Sequence, residues 1–406
     1  MELQTLTLPN GIRLIHFQVQ SPVAHCGMFI HAGTRDETEA EHGVAHFIEH
    51  TIFKGTGKRN VFQVLNRLEN VGADLNAYTG KEETCIHASF LSEFYERTLE
   101  LFQDIFFHSV FPEKELEREK QVVMDEIRSF KDTPAEQIFD DFEDQVFNGH
   151  PLGKNILGSA GSLQKLKRDD VLNFIHRNYR LNEVVIASVG NMEFRRLARL
   201  VVKYFSDNPP RGESSPRITF RDYRPFTKAI KKKTSQVHCL TGAPAYAYSD
   251  ERRIPLALLN NMLGGPVMNS RLSLALRERN GLTYHNESNY TAYSDAGIIH
   301  VYFGTDPANY DKALRIMLRE LKRLREERLS PVQMQIIKKQ IIGQLAIAQE
   351  SNMTAMLAIG KSYLLQNRFD PLEKIIERIY ATTADELLEI ANEIFEEKQL
   401  SMLTFR

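Results

Sequence analysis

Hydrophobic and polar positions alternate in some segments of this chain and recur at helical spacing in others. Residues 11–18 and 23–31 alternate apolar and polar side chains, as half-buried antiparallel strands do. Paired strands are also predicted at about 74–90 and 283–305, and each pair is followed by a long helix with one apolar stripe. The pattern therefore predicts an α+β fold with two structurally related domains, each an antiparallel-rich β-sheet with helices packed on one face.

The predicted domains are separated by a segment rich in proline, serine and charge. Residues 208–218 lack an apolar period, so they are predicted to link an N-terminal domain at 1–207 to a C-terminal domain at 219–406. The halves also resemble distant repeats, because paired strands, a long helix and a helix that begins at proline recur in each.

A helix is predicted to begin at Pro112 and to run to about Lys131, and its apolar stripe contains two carboxylates. Spacings of 3 and 4 connect Leu116, Glu119, Val123, Glu126 and Phe130. An unpaired carboxylate in a core costs several kcal/mol, so both glutamates need compensation. A bound cation would supply it directly. Alternatively, one or both glutamates pair with arginine or lysine, or lie at the edge of the stripe.

The second half contains a matching helix that begins at Pro331. Aligning the two prolines pairs Glu119 with Lys338 and Glu126 with Leu345. The C-terminal domain is therefore predicted to have the same scaffold without the carboxylates.

Two histidines four residues apart on another predicted helix could bind a metal. At about 100° per residue, His46, Glu49 and His50 fall within about a third of the helix circumference. Neutral imidazoles suit Zn²⁺, a third protein ligand would leave one open position, and a carboxylate beside that position can act as general base. This is the inverted zincin order, in which the glutamate precedes the second histidine.

The helix that carries this motif is predicted to begin at a capping box of Thr38 and Glu41 and to end at Gly55 and Gly57. His42 is also four residues from a histidine, but that pair lacks its carboxylate, so His42 is interpreted as solvated or as a neighbour of the site. The motif alone is weak, since a chance match somewhere in a chain of this length with 13 histidines is expected on the order of a few times in a hundred, and such a match can be a surface helix with scattered polar residues.

Composition is that of a soluble enzyme. The 406 residues are 42% hydrophobic and 26% charged, which suffices for two cores of about 200 residues each. A net charge of −2 gives no electrostatic reason to expect nucleic acid or an anionic membrane as partner. No apolar run approaches the roughly 20 residues that span a bilayer, and the first residues lack the features of a signal peptide. A cytoplasmic location is expected, and Cys26, Cys85 and Cys239 are predicted to be core thiols rather than a second metal site.

Together these motifs resemble the M16 peptidase family, also called the pitrilysin or mitochondrial processing peptidase family. The histidine motif is followed 76 residues later by Glu126, with Glu119 one heptad before it. Further segments match along nearly the whole chain: Asn76-Ala77-Tyr78-Thr79 followed by Glu82-Glu83-Thr84, Gly264-Gly265 leading to Ser270-Arg271-Leu272, and the pair Arg277 and Tyr284.

The resemblance implies a zinc metalloendopeptidase with one Zn²⁺ per chain. By analogy, His46, His50 and Glu126 would ligate the zinc, Glu49 would be the general base, and Glu119 would orient a ligand or water.

The resemblance also implies how peptide substrates bind. The strand that carries Asn76 and Ala77 would pair with the substrate backbone, and Arg277 and Tyr284 would contact the substrate or the developing oxyanion. Spacing alone fits a helix-end arginine and a core tyrosine equally well. This chain has about half the domains of the longer family members, yet it carries both the zinc ligands and the arginine and tyrosine pair. We therefore expect a homodimer that closes like a clamshell around unfolded peptides, with each zinc facing the arginine and tyrosine of the partner chain.

Two other interpretations remain open at this point. One is a catalytically inactive M16-like core or assembly subunit, which would have no need of Glu49. The other is a structural zinc protein, but such sites use four protein ligands, and no fourth cysteine or histidine is suitably placed in the sequence.

Overall fold

The structure, a computed structural model, describes residues 3–208 and 216–406, so residues 209–215 of the predicted linker lie outside the described residues. The chain forms two compact units. The first contains Met1–Arg128, Lys154–Arg217 and Ile347–Phe369, and the second contains Ser129–Gly153, Ile218–Ala346 and Asp370–Arg406.

The described residues form both strands and helices throughout. In chain order, the strands are β1 (Leu3–Thr7), β2 (Arg13–Gln18), β3 (Val23–Ile30), β4 (Asp74–Thr79), β5 (Thr84–Leu91), β6 (Val184–Gly190), β7 (Thr227–Ile230), β8 (Val237–Ala245), β9 (Thr283–Ala292), β10 (Gly297–Thr305) and β11 (Ser401–Phe405). The α-helices are α1 (Val44–Thr51), α2 (Val61–Glu69), α3 (Tyr95–His108), α4 (Glu113–Lys131), α5 (Pro134–Val146), α6 (Ala160–Lys165), α7 (Arg168–Asn178), α8 (Phe194–Phe205), α9 (Arg253–Gly264), α10 (Tyr310–Glu326), α11 (Pro331–Gln349), α12 (Asn352–Gln366), α13 (Leu372–Ala381) and α14 (Ala384–Ile394).

The two sheets share one pairing pattern. The first sheet has the order β1-β2-β6-β3-β5-β4, and the second has the order β7-β11-β8-β10-β9. In each sheet one strand pair near the edge is parallel, β2 with β6 and β7 with β11, and the other pairs are antiparallel. The predicted α+β fold with two related domains is therefore confirmed.

The core of the first unit lies mainly between its sheet and the helices of the first half. Apolar residues of α1, α2, α3, α4, α6, α7 and α8 pack there against one face of the sheet. The opposite face is covered by α12, which packs on β3 and β6. This second layer is an addition to the predicted one-faced arrangement.

The second unit is built in the same way. Its helices α9, α10 and α14 share a core with one face of the sheet, and α5 covers the other face against β8 and β11. Each unit therefore includes a helix from the opposite half of the chain, at equivalent positions of the two sheets. The units differ in these segments from the contiguous domains predicted at 1–207 and 219–406.

The predicted strand pairs agree closely with β4 and β5 and with β9 and β10. Among the described residues, no helix has the length and apolarity needed to cross a membrane.

Candidate metal centre

Helix α1, which carries the histidine motif, begins later than predicted. Thr38 and Glu41 form the expected capping box, but this box caps the start of a separate 3₁₀ turn at Glu39–Glu41. The chain then turns at Gly43, whose φ of 93° favours glycine, and α1 starts at Val44.

The N-terminus of α1 is capped by Glu37, a residue that the sequence analysis missed. Its carboxylate accepts hydrogen bonds from the backbone N–H groups of Gly43 and Ala45, each at 2.9 Å. Burial raises the pKa of Glu37 to about 8, against the opposing effect of these two hydrogen bonds. No local pattern reveals this cap, because the side chain reaches backbone six and eight residues further along the chain.

The two histidines of α1 meet Glu126 of α4. The Nε2 atoms of His46 and His50 lie 3.7 and 3.4 Å from Glu126 Oε2. The three ligand atoms lie within 4.8 Å of one another, and no other cluster of this kind occurs among the described residues. The predicted ligands therefore converge on one point of the first unit.

These distances fit a zinc ion. With ligand bonds of about 2.1 Å, a tetrahedral zinc site separates its ligand atoms by about 3.4 Å. Burial, together with the neighbouring His50, lowers the pKa of His46 to about 4, so its imidazole is neutral at physiological pH, as a metal ligand must be. Glu126 is 43% exposed and His46 only 8%, so the cluster is open to solvent on the glutamate side.

Glu119 and Glu126, the two carboxylates in the apolar stripe of α4, are compensated in different ways. Glu119 Oε1 forms an ion pair with Lys54 at 2.5 Å, and its Oε2 lies 3.4 Å from His50 Nδ1. A carboxylate on the second ring nitrogen fixes the tautomer and orientation of a ligating histidine. Glu126 instead lies at the exposed edge of the stripe. The two alternatives left open by the sequence therefore both occur, since one glutamate pairs with lysine and the other lies at the edge of the stripe. The geometry is also suited to a cation.

Glu49 occupies the same helix face beside the end of β4. Burial raises the pKa of its carboxyl, while hydrogen bonds from the side chain and backbone of Thr79 lower it. Thr79 also donates a hydrogen bond to the carbonyl of Ala45 at 3.4 Å, which ties β4 to α1. This contact of Thr79 was not anticipated from the sequence, although the residue lies within the matched segment 76–79.

Asn76 and Ala77 lie on β4, the edge strand of the first sheet. Asn76 is exposed and Ala77 is buried, and the carboxamide of Asn76 accepts a hydrogen bond from the N–H of Ala77. The outer edge of β4 is unpaired among the described residues, which leaves backbone groups for strand addition.

Arg277 and Tyr284 come together in the second unit. The guanidinium of Arg277 lies 5.6 Å from the centroid of the Tyr284 ring, and 84% of Tyr284 is exposed. Arg277 belongs to a π-helical turn at Ser273–Glu278, a conformation that is often associated with functional sites. It lines a surface pocket of about 570 Å³ together with Gly264 and Gly265. The exposed ring does not fit the alternative of a core tyrosine.

Other candidates lie apart from the ligand cluster. His42 is half-buried and does not belong to the cluster, and its Nε2 lies 3.0 Å from the carbonyl oxygen of Asn155. Cys26, Cys85 and Cys239 are free and buried, as predicted for core thiols.

Comparisons with known proteins agree with this geometry. The family model described as Insulinase (Peptidase family M16) matches residues 15–160, which include the histidine motif and Glu126. The model described as Peptidase M16 inactive domain matches residues 165–341, which include Arg277 and Tyr284.

Curated relatives match nearly the full chain. The uncharacterized zinc protease YmxG of Bacillus subtilis is 30% identical over 398 residues, covering 97% of this chain and 96% of the relative. An uncharacterized zinc protease of Rickettsia felis is 31% identical over 393 residues, covering 96% and 94%.

Solved structures share the fold. A protease from Helicobacter pylori superimposes with a TM-score of 0.93 at 20% identity, covering 100% of this chain and 99% of the other. A Pseudomonas fluorescens structure described as a peptidase M16 inactive domain has the same TM-score at 18% identity, covering 100% and 98%. The full-length sequence relatives and the paired family models, taken with this shared fold, establish that the chain belongs to the M16 peptidase family.

Proposed function

We propose that this protein is a zinc metalloendopeptidase that hydrolyses peptide bonds in unfolded peptides or short polypeptides. The observation that carries the proposal is that His46, His50 and Glu126 converge, and that Glu49 lies on the same face of α1 as the two histidines. The names of the full-length relatives, which describe them as zinc proteases, support it.

One zinc ion per chain would be held by His46, His50 and Glu126. When bound, zinc supplies a Lewis acid for the scissile carbonyl and lowers the pKa of its water to about 7. Glu119 holds the Nδ1 side of His50 and is itself held by Lys54, so the imidazole presents Nε2 to the metal position.

Glu49 would act as general base and then as general acid. It takes a proton from the attacking water and later delivers a proton to the leaving amine. Burial, which raises the pKa of Glu49, brings its proton affinity closer to that required at neutral pH.

The substrate would add as a strand to the outer edge of β4. Backbone hydrogen bonds bind peptides of varied sequence, which suits an enzyme that acts on unfolded chains. In a homodimer that closes like a clamshell, the partner subunit's Arg277 and the partner subunit's Tyr284 would complete the site. The 84% exposure of Tyr284 supports this role, since an exposed aromatic ring next to an arginine is well suited to contact a ligand.

The alternative is a catalytically inactive core subunit. The words "inactive domain" describe the family model that matches residues 165–341, which do not include His46, His50 or Glu126. They also describe the Pseudomonas fluorescens structure, but at 18% identity that likeness shows the fold and not the side chains of the site. Retention of Glu49, which holds no metal, also favours a working enzyme.

A quenched fluorescent peptide, incubated with the purified protein, separates these functions. We expect cleavage that is abolished by a chelator and restored by added zinc. A zinc-loaded, folded protein that cleaves no member of a diverse peptide library would favour the core subunit.

A further inference from the structure

The turn between β4 and β5 is unusual because it buries three consecutive charged residues. Lys81, Glu82 and Glu83 are only 7%, 2% and 5% exposed. Lysine and glutamate are rarely buried to this degree unless each charge is paired. The turn is therefore held by specific partners, and its position depends on them.

The partner of Glu82 comes partly from the segment that links the two halves. Arg217 donates hydrogen bonds to the Glu82 backbone carbonyl at 2.8 Å and to Glu82 Oε1 at 3.2 Å. The same guanidinium bonds both carboxylate oxygens of Asp36, at 2.9 and 2.8 Å. Glu82 Oε1 also accepts a hydrogen bond from Arg35 at 2.6 Å. A planar guanidinium can hold several acceptors at once in this fixed geometry.

Glu83 is held by a residue from the second half of the chain. Lys361, on α12, forms an ion pair with Glu83 Oε1 at 2.5 Å. The third charged residue, Lys81, donates to the backbone carbonyl of Lys154. Two of the turn's partners thus lie outside the N-terminal half that supplies the metal ligands, yet both belong to the same compact unit.

The turn follows directly after Thr79, whose hydroxyl donates a hydrogen bond to the carbonyl of Ala45 on α1 at 3.4 Å. It also ends β4, the strand to which substrate would add. A shift of the turn therefore displaces the substrate strand and its bond to the helix that carries Glu49, without removing any of the metal ligands.

We propose that Arg217 and Lys361 are positioning residues that hold the β4–β5 turn, so that β4 stays bonded to α1, the helix that carries Glu49, and presents a fixed edge to the substrate. This inference rests on the proposed peptidase function. It assigns to the linker and to α12 a part in catalysis that metal binding alone does not require.

The test uses the zinc-loaded, full-length protein with the substitutions Arg217→Ala, Arg217→Lys and Lys361→Met. Arg59→Ala is the matched control for loss of a multiply paired arginine, since Arg59 pairs with Glu100 and Asp104 instead of the turn. Lys203→Met is the control for loss of a lysine ion pair, because Lys203 pairs with Glu96. Each variant is measured for zinc per chain, for kcat and KM on the quenched peptide, and for amide hydrogen exchange of residues 74–83.

We expect Arg217→Ala to retain zinc while kcat/KM falls by about tenfold to a hundredfold, the range expected when a catalytic group is slightly misplaced. Arg217→Lys should recover part of the loss, and Lys361→Met should show a smaller loss. Hydrogen exchange at 74–83 should be faster in the turn variants and unchanged in both controls.

Three outcomes overturn the inference. They are wild-type kcat/KM and exchange in both Arg217→Ala and Lys361→Met, loss of zinc together with activity, or equal losses in the control variants. If Arg217→Ala does not fold, Arg217→Lys and Lys361→Met decide by the same measurements. A wild type without chelator-sensitive cleavage overturns the proposed function, and this inference with it. An active wild type with unaffected turn variants overturns this inference alone.

Discussion

The two halves of the chain build sheets with the same pairing pattern, but among the described residues only the first brings together side chains that could bind a metal. Helices α4 and α11 are each 19 residues long and begin at or just after the prolines that align them. Where α4 carries Glu119, α11 carries Lys338, which donates to the backbone carbonyls of Tyr380 and Thr382 at 2.7 and 2.6 Å. The lysine at that position thus supports local structure instead of a site.

This difference shows that the scaffold and the chemistry are separable. The sheet pairing and the exchanged helices α5 and α12 recur in both units, although only the first unit holds the candidate ligand cluster, so this packing does not depend on a metal site. The candidate site depends on a few side chains on α1 and α4. In the second unit, neither α9 nor α11 contains a histidine that could take the same part.

The largest effect is expected from the ligands themselves. His50→Ala should remove zinc and peptidase activity together, because two remaining ligands do not hold the ion against a chelator. Leu345→Glu, which places a carboxylate at the matching position of α11, should add no second zinc. Metal analysis and the peptide assay test both. Unchanged zinc content in His50→Ala would contradict the assigned site, and a second zinc in Leu345→Glu would break the contrast between the halves.

Next in size is the loss of the base. Glu49→Gln should keep about one zinc per chain, because the ligands remain. It should lose about a hundredfold or more in kcat, because the group that accepts the proton is removed. Kinetics and metal content measured on the same preparation provide the test. A variant as active as the parent would show that Glu49 is not the base.

A smaller, partial recovery tests whether the second half contributes to the site of another chain. Glu49→Gln is mixed with the double variant Arg277→Ala and Tyr284→Ala, and the chains are allowed to exchange. Half of the dimers are then mixed, and each holds one intact composite site, so about a quarter of parental activity should return. No recovery despite demonstrated exchange would place the pair and the zinc of one site in the same chain.

The smallest effect concerns two helix caps, the ionisable Glu37 at α1 and the neutral Thr383 at α14. Burial raises the pKa of Glu37 to about 8, whereas an unfolded glutamate has a pKa near 4.3, so between these values the folded chain binds one more proton. This contribution to stability is present below about pH 4 and is lost as the pH rises through 8.

Wild type should therefore lose unfolding free energy between pH 5 and 7 more steeply than Glu37→Gln, by up to about 1.4 kcal/mol per pH unit. Thr383→Ala, which removes the neutral cap of α14 in the second half, should leave the slope unchanged. Denaturant unfolding in the presence of chelator measures the slopes. Equal slopes in wild type and Glu37→Gln would mean that Glu37 is ionised throughout.

Much of the candidate site could be predicted because its signals are local. The four-residue spacing of His46 and His50 places both rings on one helix face, and the stripe of α4 identifies Glu119 and Glu126 as carboxylates in need of partners. The extent of α1 was predicted less well. Its cap is Glu37, and the Thr38 box belongs to a neighbouring turn, since cap identity depends on how the chain bends at Gly43.

The sequence by itself determined the fold class, the paired strands and the residue types able to bind zinc, because strand and helix periodicity is written in neighbouring positions. Only the tertiary structure decided that α5 and α12 cover the sheet of the opposite half, that Lys54 pairs with Glu119, and that Arg217 and Lys361 hold the β4–β5 turn. These contacts join residues far apart in the chain, and a charged side chain carries no local mark of the partner that folding brings to it.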